Sequence, residues 1–310
     1  MSAADSVTAA PAWALHRPGG RDVLLMGIAV VGISLSGPLT ALVVAPVLAI
    51  AFWRNAAGAA ALLPVLLTRE RGTLAGLRPR DLRSSVLGGV LLAAHFAAWL
   101  PSLSMTTVAA SVALVTTTPI WTALAARLTG VRLPAAVWWG LVLAVVGAGL
   151  IAGVDVTVSL RALAGDGLAL LGAVCAAGYV LAGAHARQRL ATSAYAVVCY
   201  STCAVVIAVA ALAVGVPLTG FSAQDWWLIA AITFVAQLLG HTLFNLVVSS
   251  VGPTIVGLAI LLEVPGALLV SLALGQAAPP LLALPGMAAV VLGVGLVVRA
   301  SRPVVAEPVG

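Results

Sequence analysis

Residues 113–153 read ALVTTTPIWTALAARLTGVRLPAAVWWGLVLAVVGAGLIAG, and residues 258–298 read LAILLEVPGALLVSLALGQAAPPLLALPGMAAVVLGVGLVV. Each stretch contains an apolar run interrupted by a Pro, a short turn and a second apolar run. An apolar run of about 20 residues is long enough to cross the hydrocarbon core of a bilayer as a helix. The two stretches therefore predict two pairs of transmembrane helices, and their likeness predicts a duplication within the chain.

The composition of the whole chain agrees with a membrane protein. Of its 310 residues 62% are hydrophobic and 8% are charged, and the mean hydropathy is +1.18. A soluble domain carries roughly 25% charged residues, so a water-soluble globule and a disordered chain are excluded. The apolar runs are continuous rather than alternating, which favours helices over a membrane barrel. We expect ten spans, near residues 23–42, 47–67, 84–103, 107–127, 134–154, 166–184, 193–214, 227–248, 254–274 and 280–299.

The basic residues predict how these spans are oriented. All fifteen are Arg, and thirteen of them fall in the tails and in alternate connecting segments. Arg161 falls on the opposite side, and Arg54 lies within a span. Connecting segments rich in Arg stay in the cytoplasm, so we expect both termini there. The use of Arg in place of Lys, with abundant Ala, Gly and Val, indicates a GC-rich coding sequence and predicts a bacterial plasma membrane.

The same residues exclude several functions. Without Lys there is neither a Walker A loop nor a Schiff-base amine, and the scattered Arg residues predict no nucleic-acid partner. Cys175, Cys199 and Cys203 imply no disulfide framework. Cys199 and Cys203 share a helix face that could hold a soft metal, but packing is the simpler interpretation. We therefore predict no metal, no cofactor and no enzymatic activity.

Most of the chain aligns with itself at one offset of 146 residues, which pairs His95 with His241 and Pro119 with Pro265. Each half then holds five spans, and an odd number makes the second half cross the membrane in the opposite sense. The predicted fold is an all-α integral membrane protein with ten transmembrane helices as two inverted five-helix repeats. We expect a cytoplasmic tail over 1–22, a first repeat over 23–154, an outer linker over 155–165, a second repeat over 166–299 and a cytoplasmic tail over 300–310.

Together with APVLAIAFWRNAAGAAALLPVLL at residues 45–67, the two stretches resemble the EamA-type transporters of the drug/metabolite transporter superfamily over essentially the whole chain. That family carries an Arg near the start of its second span and a Pro within its fourth and ninth spans. Arg54, Pro119 and Pro265 match these positions. The resemblance implies a transporter that exports small metabolites, such as amino acids, or drug-like compounds.

The match to the family is incomplete at two turns. In the family a turn of a small residue, Glu and a basic residue usually follows each Pro-containing span. Here the turns read Gly-Val-Arg at 130–132 and Gly-Gln-Ala at 275–277, so both Glu residues are missing. No role of that Glu carries over to this chain.

Two charged side chains fall inside the predicted spans. A charge at mid-bilayer costs about 2.5–3.5 kcal/mol on insertion scales, so each needs a reason to be there. Arg54 either anchors a carboxylate or phosphate of a substrate, or is a structural Arg that reaches the headgroups or helix carbonyls. Glu263 lies near the middle of the ninth span, where a low dielectric favours the neutral carboxyl. It is either a proton-coupling or cation-binding group, or a structural group, as a static partner of Arg54 or a protonated, hydrogen-bonded carboxyl of the core.

Several neutral polar side chains are further candidates. The aligned pair His95 and His241 could relay protons or bind a substrate, although a structural His is the common alternative. Gln237, His241 and Asn245 follow the spacing i, i+4, i+8, which predicts one polar stripe on a helix. Such a stripe either lines a cavity or joins helices.

Trp99 and Thr117 align with Asn245 and Glu263 at the same offset. Trp99 is either an interfacial belt residue or a stacking platform for a substrate. The hydroxyl of Thr117 either satisfies carbonyls freed by Pro119 or lines the same cavity as Glu263. Pro119 and Pro265 are candidate hinges.

These residues predict a secondary active transporter that works by alternating access across the plasma membrane. We expect it to export amino-acid-like metabolites or drug-like compounds, with proton coupling through Glu263, His95 and His241. An uncoupled facilitator or uptake permease is the alternative, whereas a membrane enzyme or receptor would need a catalytic cluster or an extramembrane domain. The expected partners are a small-molecule substrate, the lipid bilayer and protons, and small residues on a lipid-facing surface would also allow a homodimer. The candidate substrate-binding residues are Arg54, His95, Trp99, Thr117, Gln237, His241, Asn245 and Glu263.

Overall fold

The computed structural model describes residues 18–70, 79–152, 159–275 and 283–300. Every predicted span has a helical counterpart within these ranges, and no strand occurs in them. The helices are α1 Gly20–Ser34, α2 Ser36–Thr40, α3 Val47–Arg69, α4 Pro79–Met105, α5 Val108–Val115, α6 Thr118–Leu128, α7 Ala135–Ala152, α8 Leu160–Ala186, α9 Thr192–Ala213, α10 Ala223–Ile232, α11 Thr242–Val251, α12 Pro253–Ile260, α13 Glu263–Ala273 and α14 Ala283–Ala300.

Seven helical segments are long and apolar enough to cross a membrane, namely Gly20–Thr40, Val47–Arg69, Leu82–Met105, Leu160–Ala186, Thr192–Ala213, Ala223–Val251 and Pro253–Ala273. Two shorter apolar helices cover Ala135–Leu150 and Leu284–Ala300. The predicted span 107–127 corresponds to the two short helices α5 and α6. The all-helical, multi-pass membrane character is thus confirmed, whereas the ten-helix inverted repeat stays a prediction.

The helix that follows the predicted outer linker begins earlier than expected. α8 starts at Leu160 rather than at residue 166 because the Ser159 hydroxyl accepts a hydrogen bond from the Ala162 N–H, at 3.1 Å, and caps the helix. The last six residues of the predicted linker 155–165 are therefore helical. Residues 153–158, most of the turn 275–277 and the outer parts of both predicted tails lie outside the described residues.

Two of the predicted spans are interrupted near their middle. α5 ends at Val115 before α6 begins, and α12 ends at Ile260 before α13 begins. Pro119 and Pro265 lie in the first turn of the helix that follows each break, where the missing N–H of Pro costs no hydrogen bond. The helices are therefore broken just before each Pro rather than kinked at it. At an offset of 146 residues the two breaks coincide to within one residue.

The span Ala223–Val251 contains a π-helical segment, Thr233–His241, between α10 and α11. The Thr242 hydroxyl donates a hydrogen bond to the carbonyl of Gln237, five residues back, at 3.0 Å. The wider turn of a π-helix changes which side chains share a face. The predicted stripe of Gln237, His241 and Asn245 is therefore divided, as the site geometry below shows.

Helices α7 and α14 approach so closely that their backbones touch at glycines. A Cβ on Gly293 would lie 2.5 Å from the carbonyl oxygen of Gly140, and a Cβ on Gly147 would lie 2.6 Å from that of Gly286. Side chains larger than hydrogen at these positions would push the two helices apart. Small residues therefore set the distance between α7 and α14.

Alanine substitutions at two neighbouring glycines of α7 are expected to have different effects on the free energy of unfolding. Gly147→Ala places a methyl against backbone atoms of α14 and is expected to cost about 1–3 kcal/mol, the usual cost of overpacking. Gly149→Ala meets no atom within 4 Å and should be neutral or stabilising, because Ala is the better helix former. Thermal unfolding of the two variants in detergent measures the difference, and equal stability would contradict the close approach.

Candidate functional site

A cavity of about 60 Å³ lies among the helices at the level of the two breaks. Residues from both halves of the chain line it, including those at the breaks, Thr118 and Glu263. Its walls are largely apolar and aromatic, with Trp99, Tyr179 and Phe244 among them.

Glu263 is the charged side chain of this cavity. It is 7% exposed, and it is the first residue of α13. No hydrogen bond to its carboxylate occurs within the described part of the chain, and the side chain forms part of the cavity lining. A buried carboxyl without a partner is costly unless it is protonated or meets a cation or donor. The carboxyl of Glu263 is therefore free to accept hydrogen bonds from a ligand in the cavity.

Arg54 does not line the cavity but lies fully buried behind it. Its Nε donates to Oε1 of Gln237 at 3.0 Å, and its Nη1 donates to the Ser36 hydroxyl at 3.2 Å. Its Cζ lies 4.5 Å from the centroid of the Phe96 ring. The Gln237 amide in turn donates to Asn55 at 3.1 Å. The guanidinium is thus held by a polar network between α3, α2 and the π-helical segment.

The structure places no hydrogen bond between Arg54 and Glu263. Nε and Nη1 are used by Gln237 and Ser36, and Nη2 has no partner among the described residues. The interpretation of Glu263 as a directly paired partner of Arg54 is therefore wrong for this conformation.

His95 and His241 both line the cavity. The Nδ1 atom of His95 lies 3.0 Å from the carbonyl oxygen of Gly172, which can only accept, so Nδ1 carries the proton. The neutral ring then offers Nε2 as an acceptor. His241 meets the edges of Phe96 and Tyr179, with ring centroids 5.9 Å apart in both cases.

Trp99 is 3% exposed and stacks on His95, with ring centroids 5.5 Å apart and planes inclined by 21°. A belt residue has to reach the interface between lipid and water. The burial of Trp99 against α8, where a Cβ on Gly172 would lie 3.1 Å from the Trp99 Cβ, contradicts that interpretation. Trp99 is instead an aromatic wall of the cavity.

Asn245 belongs to a second polar network beside the cavity. Its amide nitrogen donates to the Tyr179 hydroxyl at 2.7 Å and to the Tyr200 hydroxyl at 3.4 Å. Tyr200 also shares a hydrogen bond with Thr242, and Nε of Arg187 donates to the Asn245 carbonyl at 2.9 Å. The side chain of Asn245 is therefore held from α8 and α9, and its backbone carbonyl is held by Arg187, which follows α8.

The predicted site residues fall into two groups. The residues that line the cavity are His95, Trp99, His241, Asn245 and Glu263. Arg54, Gln237 and Thr117 do not line it. Thr117 donates to the Leu114 carbonyl at 2.7 Å, which agrees with the interpretation that its hydroxyl satisfies the helix break, and Gln237 joins helices.

Sequence reasoning missed Tyr179, Tyr200 and Asn55. One signal was present, because Tyr200 aligns with Arg54 at the offset of 146 residues, and both hold polar networks next to the cavity. Asn55 directly follows Arg54 within an apolar span, which is a second signal. No group of three or more His, Cys, Asp or Glu side chains suited to a metal ion occurs within the described ranges.

The fold and the cavity define a class: a multi-pass helical membrane protein with a buried polar site between its helices. Residues 20–153 match the model of the EamA-like transporter family, which confirms the resemblance inferred from the sequence. The match indicates a membrane transporter of the drug/metabolite transporter superfamily, and a transporter family speaks against an enzyme. A small-molecule substrate and membrane lipid follow from this class as partners.

Two further comparisons bear on the fold and on relatives. A solved structure, described only as a crystal structure of a protein, superposes with a TM-score of 0.72 at 19% sequence identity. The superposition covers 92% of this chain and 99% of that one, so the two chains share a fold over most of their length. None of the curated proteins compared with the chain matches it significantly.

Proposed function

We propose that this protein is a secondary active transporter that carries a small molecule out of the cell by alternating access around the central cavity. The observation that carries the proposal is the unpartnered carboxyl of Glu263, which faces a cavity built at the breaks of two discontinuous helices. Discontinuous helices of this kind form the substrate and ion sites of many secondary transporters. The substrate is an amino-acid-like metabolite or a drug-like compound, as the family match suggests.

The proposed architecture is ten helices in two inverted five-helix halves. The glycine contacts of α7 and α14 support it, because Gly140 meets Gly293 while Gly147 meets Gly286. At the offset of 146 residues Gly140 aligns with Gly286 and Gly147 with Gly293, so each contact maps onto the other. A self-complementary contact of this kind is what a two-fold axis produces. The proposed position of both termini is the cytoplasm, which the distribution of Arg supports. The proposed membrane is the bacterial plasma membrane, which the composition supports.

The proposed coupling ion is the proton, and Glu263 is its binding site. A carboxyl that is neutral when it holds a proton and ionised when it holds a substrate can link the two movements. His95 and His241 line the same space and are the proposed groups that pass the proton on. Pro119 and Pro265 follow the two breaks and are the proposed hinges.

Transport into proteoliposomes tests the proposal. The purified protein is offered a mixture of amino acids, other metabolites and amines, with and without a pH gradient, and the lumen is analysed by mass spectrometry. We expect at least one compound to accumulate only when the gradient is present. Movement that stops at equilibrium with or without a gradient would identify an uncoupled facilitator, and no movement of any compound would contradict transport.

A further inference from the structure

The free hydrogen-bonding atoms of the cavity are mainly acceptors. Both oxygens of Glu263 lack partners among the described residues, and the neutral His95 ring offers Nε2. The hydroxyl of Thr118 donates to the Val115 carbonyl at 2.9 Å, so its oxygen can only accept from a ligand. Thr116 donates in the same way to the carbonyl of Val112 at 2.8 Å. A ligand that complements these atoms has to bring hydrogen-bond donors.

Most donors near the cavity are used or lie outside its lining. The amide nitrogen of Asn245 donates to Tyr179 and Tyr200. Arg54 has no exposed surface and donates to Gln237 and Ser36 from behind the cavity wall, and its unpartnered Nη2 is enclosed there as well. The indole Nε1 of Trp99 is a neutral donor without a partner among the described residues. A ligand carboxylate in the cavity would therefore face a carboxylate and other acceptors, with no cationic side chain in the lining to pair with.

The remaining walls are suited to an apolar body with a positive end. Trp99, Tyr179 and Phe244 supply aromatic surface, and Val180, Val248 and Ile260 supply aliphatic surface. Aromatic faces attract cations as well as apolar groups. An ammonium group with N–H donors and an uncharged ring-sized body meets each of these features.

We propose that the cavity binds the protonated amino group of a primary or secondary amine with an apolar body, and that Glu263 is its counter-ion. The proposal rests on the transport function above, because it names the substrate class that the central cavity receives. Of the two roles predicted for Arg54, it favours the structural one over an anchor for an acidic group. Arg54 instead holds the wall of the cavity.

A ligand series with one ring system tests the preference directly. Tryptamine, N,N,N-trimethyltryptammonium, tryptophan and indole-3-propionate are titrated into the purified protein in lipid nanodiscs by isothermal calorimetry. Tryptamine is expected to bind about tenfold or more tightly than indole-3-propionate, because only the amine pairs with the buried carboxylate. The trimethyl analogue, which has the charge but no ammonium N–H, is expected to bind more weakly than tryptamine. Equal or tighter binding of indole-3-propionate, or failure of tryptamine to bind, overturns the proposal.

Variants of Glu263 locate the amine. Glu263→Gln is expected to weaken tryptamine binding by about tenfold or more, whereas the remote variant Glu70→Gln should bind like wild type. If Glu263→Gln does not fold, Glu263→Asp keeps the carboxylate and should retain the preference for amine over carboxylate. Unchanged tryptamine affinity in folded Glu263→Gln, or loss of the preference in Glu263→Asp, contradicts the assignment.

Binding and transport fail separately. If tryptamine binds through Glu263 but no compound moves in proteoliposomes, the substrate class stands and the transport function is wrong. If carboxylates are transported and amines do not bind, the transport function stands and the substrate class is wrong.

Discussion

Glu263→Gln is expected to abolish the effect of a pH gradient on transport while leaving the protein folded. The amide is the same size as the carboxyl but cannot bind and release a proton. Since Glu263 has no hydrogen-bond partner among the described residues, the substitution removes no hydrogen bond that supports the fold. The variant should therefore reach wild-type levels in the membrane, and its accumulation of substrate should fall to that of liposomes without a gradient.

The matched control is Glu70→Gln. Glu70 follows α3, accepts a hydrogen bond from Ser193 and does not line the cavity. The substitution Glu70→Gln removes one carboxylate from the same protein without changing the cavity lining, so accumulation of substrate driven by the gradient should persist. Proton coupling would have to be assigned to another group if Glu263→Gln still accumulated substrate in response to the gradient.

Gln237→Leu is expected to destabilise the protein more than Arg54→Met does. Gln237→Leu leaves a buried guanidinium without the acceptor of its Nε, and hydrogen bonds to charged groups contribute about 1.5–3 kcal/mol. Arg54→Met removes the charge together with its need for partners and keeps a long side chain against Phe96. That variant leaves the oxygen of Gln237 and the hydroxyl of Ser36 without the guanidinium donors, but it leaves no buried charge behind.

The double variant completes the test. Replacing both members of a buried polar pair by apolar residues is often nearly neutral, so Arg54→Met with Gln237→Leu should recover part of the stability lost in Gln237→Leu. Unfolding in detergent, followed by the fluorescence of the eight tryptophans, measures all four proteins. Strictly additive losses would mean that Arg54 and Gln237 do not interact, which the 3.0 Å contact rules out in this account.

The helices of this protein could be predicted from the sequence because lipid allows few alternatives. A span needs about 20 apolar residues and internal hydrogen bonds, so composition alone locates it. The boundary at Leu160 was missed because it depends on the cap at Ser159 rather than on hydropathy. Pro119 and Pro265 were predicted as hinges within continuous spans, and the sequence did not reveal that a helix ends just before each of them.

The site was harder to predict because its contacts join residues far apart in the chain. Arg54 and Gln237 are 183 residues apart, and no local pattern indicates that the guanidinium turns to an amide rather than to a substrate. The π-helical segment has no evident sequence signal, yet it separates Gln237 from His241 and Asn245. Glu263 could be singled out because a carboxyl within a span is costly and is therefore rare outside functional or structural sites. His95 and His241 were singled out by a different signal, their alignment at the offset of 146 residues.

Alternating access requires that one cavity opens to each side of the membrane in turn. Ala176 lines that cavity and is only half-buried, so Ala176→Cys, with Cys175, Cys199 and Cys203 replaced by Ala, places one thiol in it. A membrane-impermeant maleimide is applied to intact cells and to inverted vesicles, with Val209→Cys as a control because Val209 is exposed on a membrane-spanning helix. We expect the thiol at position 176 to react with maleimide applied from either side of the membrane, and the thiol at position 209 to react from neither. Reaction of the thiol at position 176 from one face alone, or from none, would contradict alternating access.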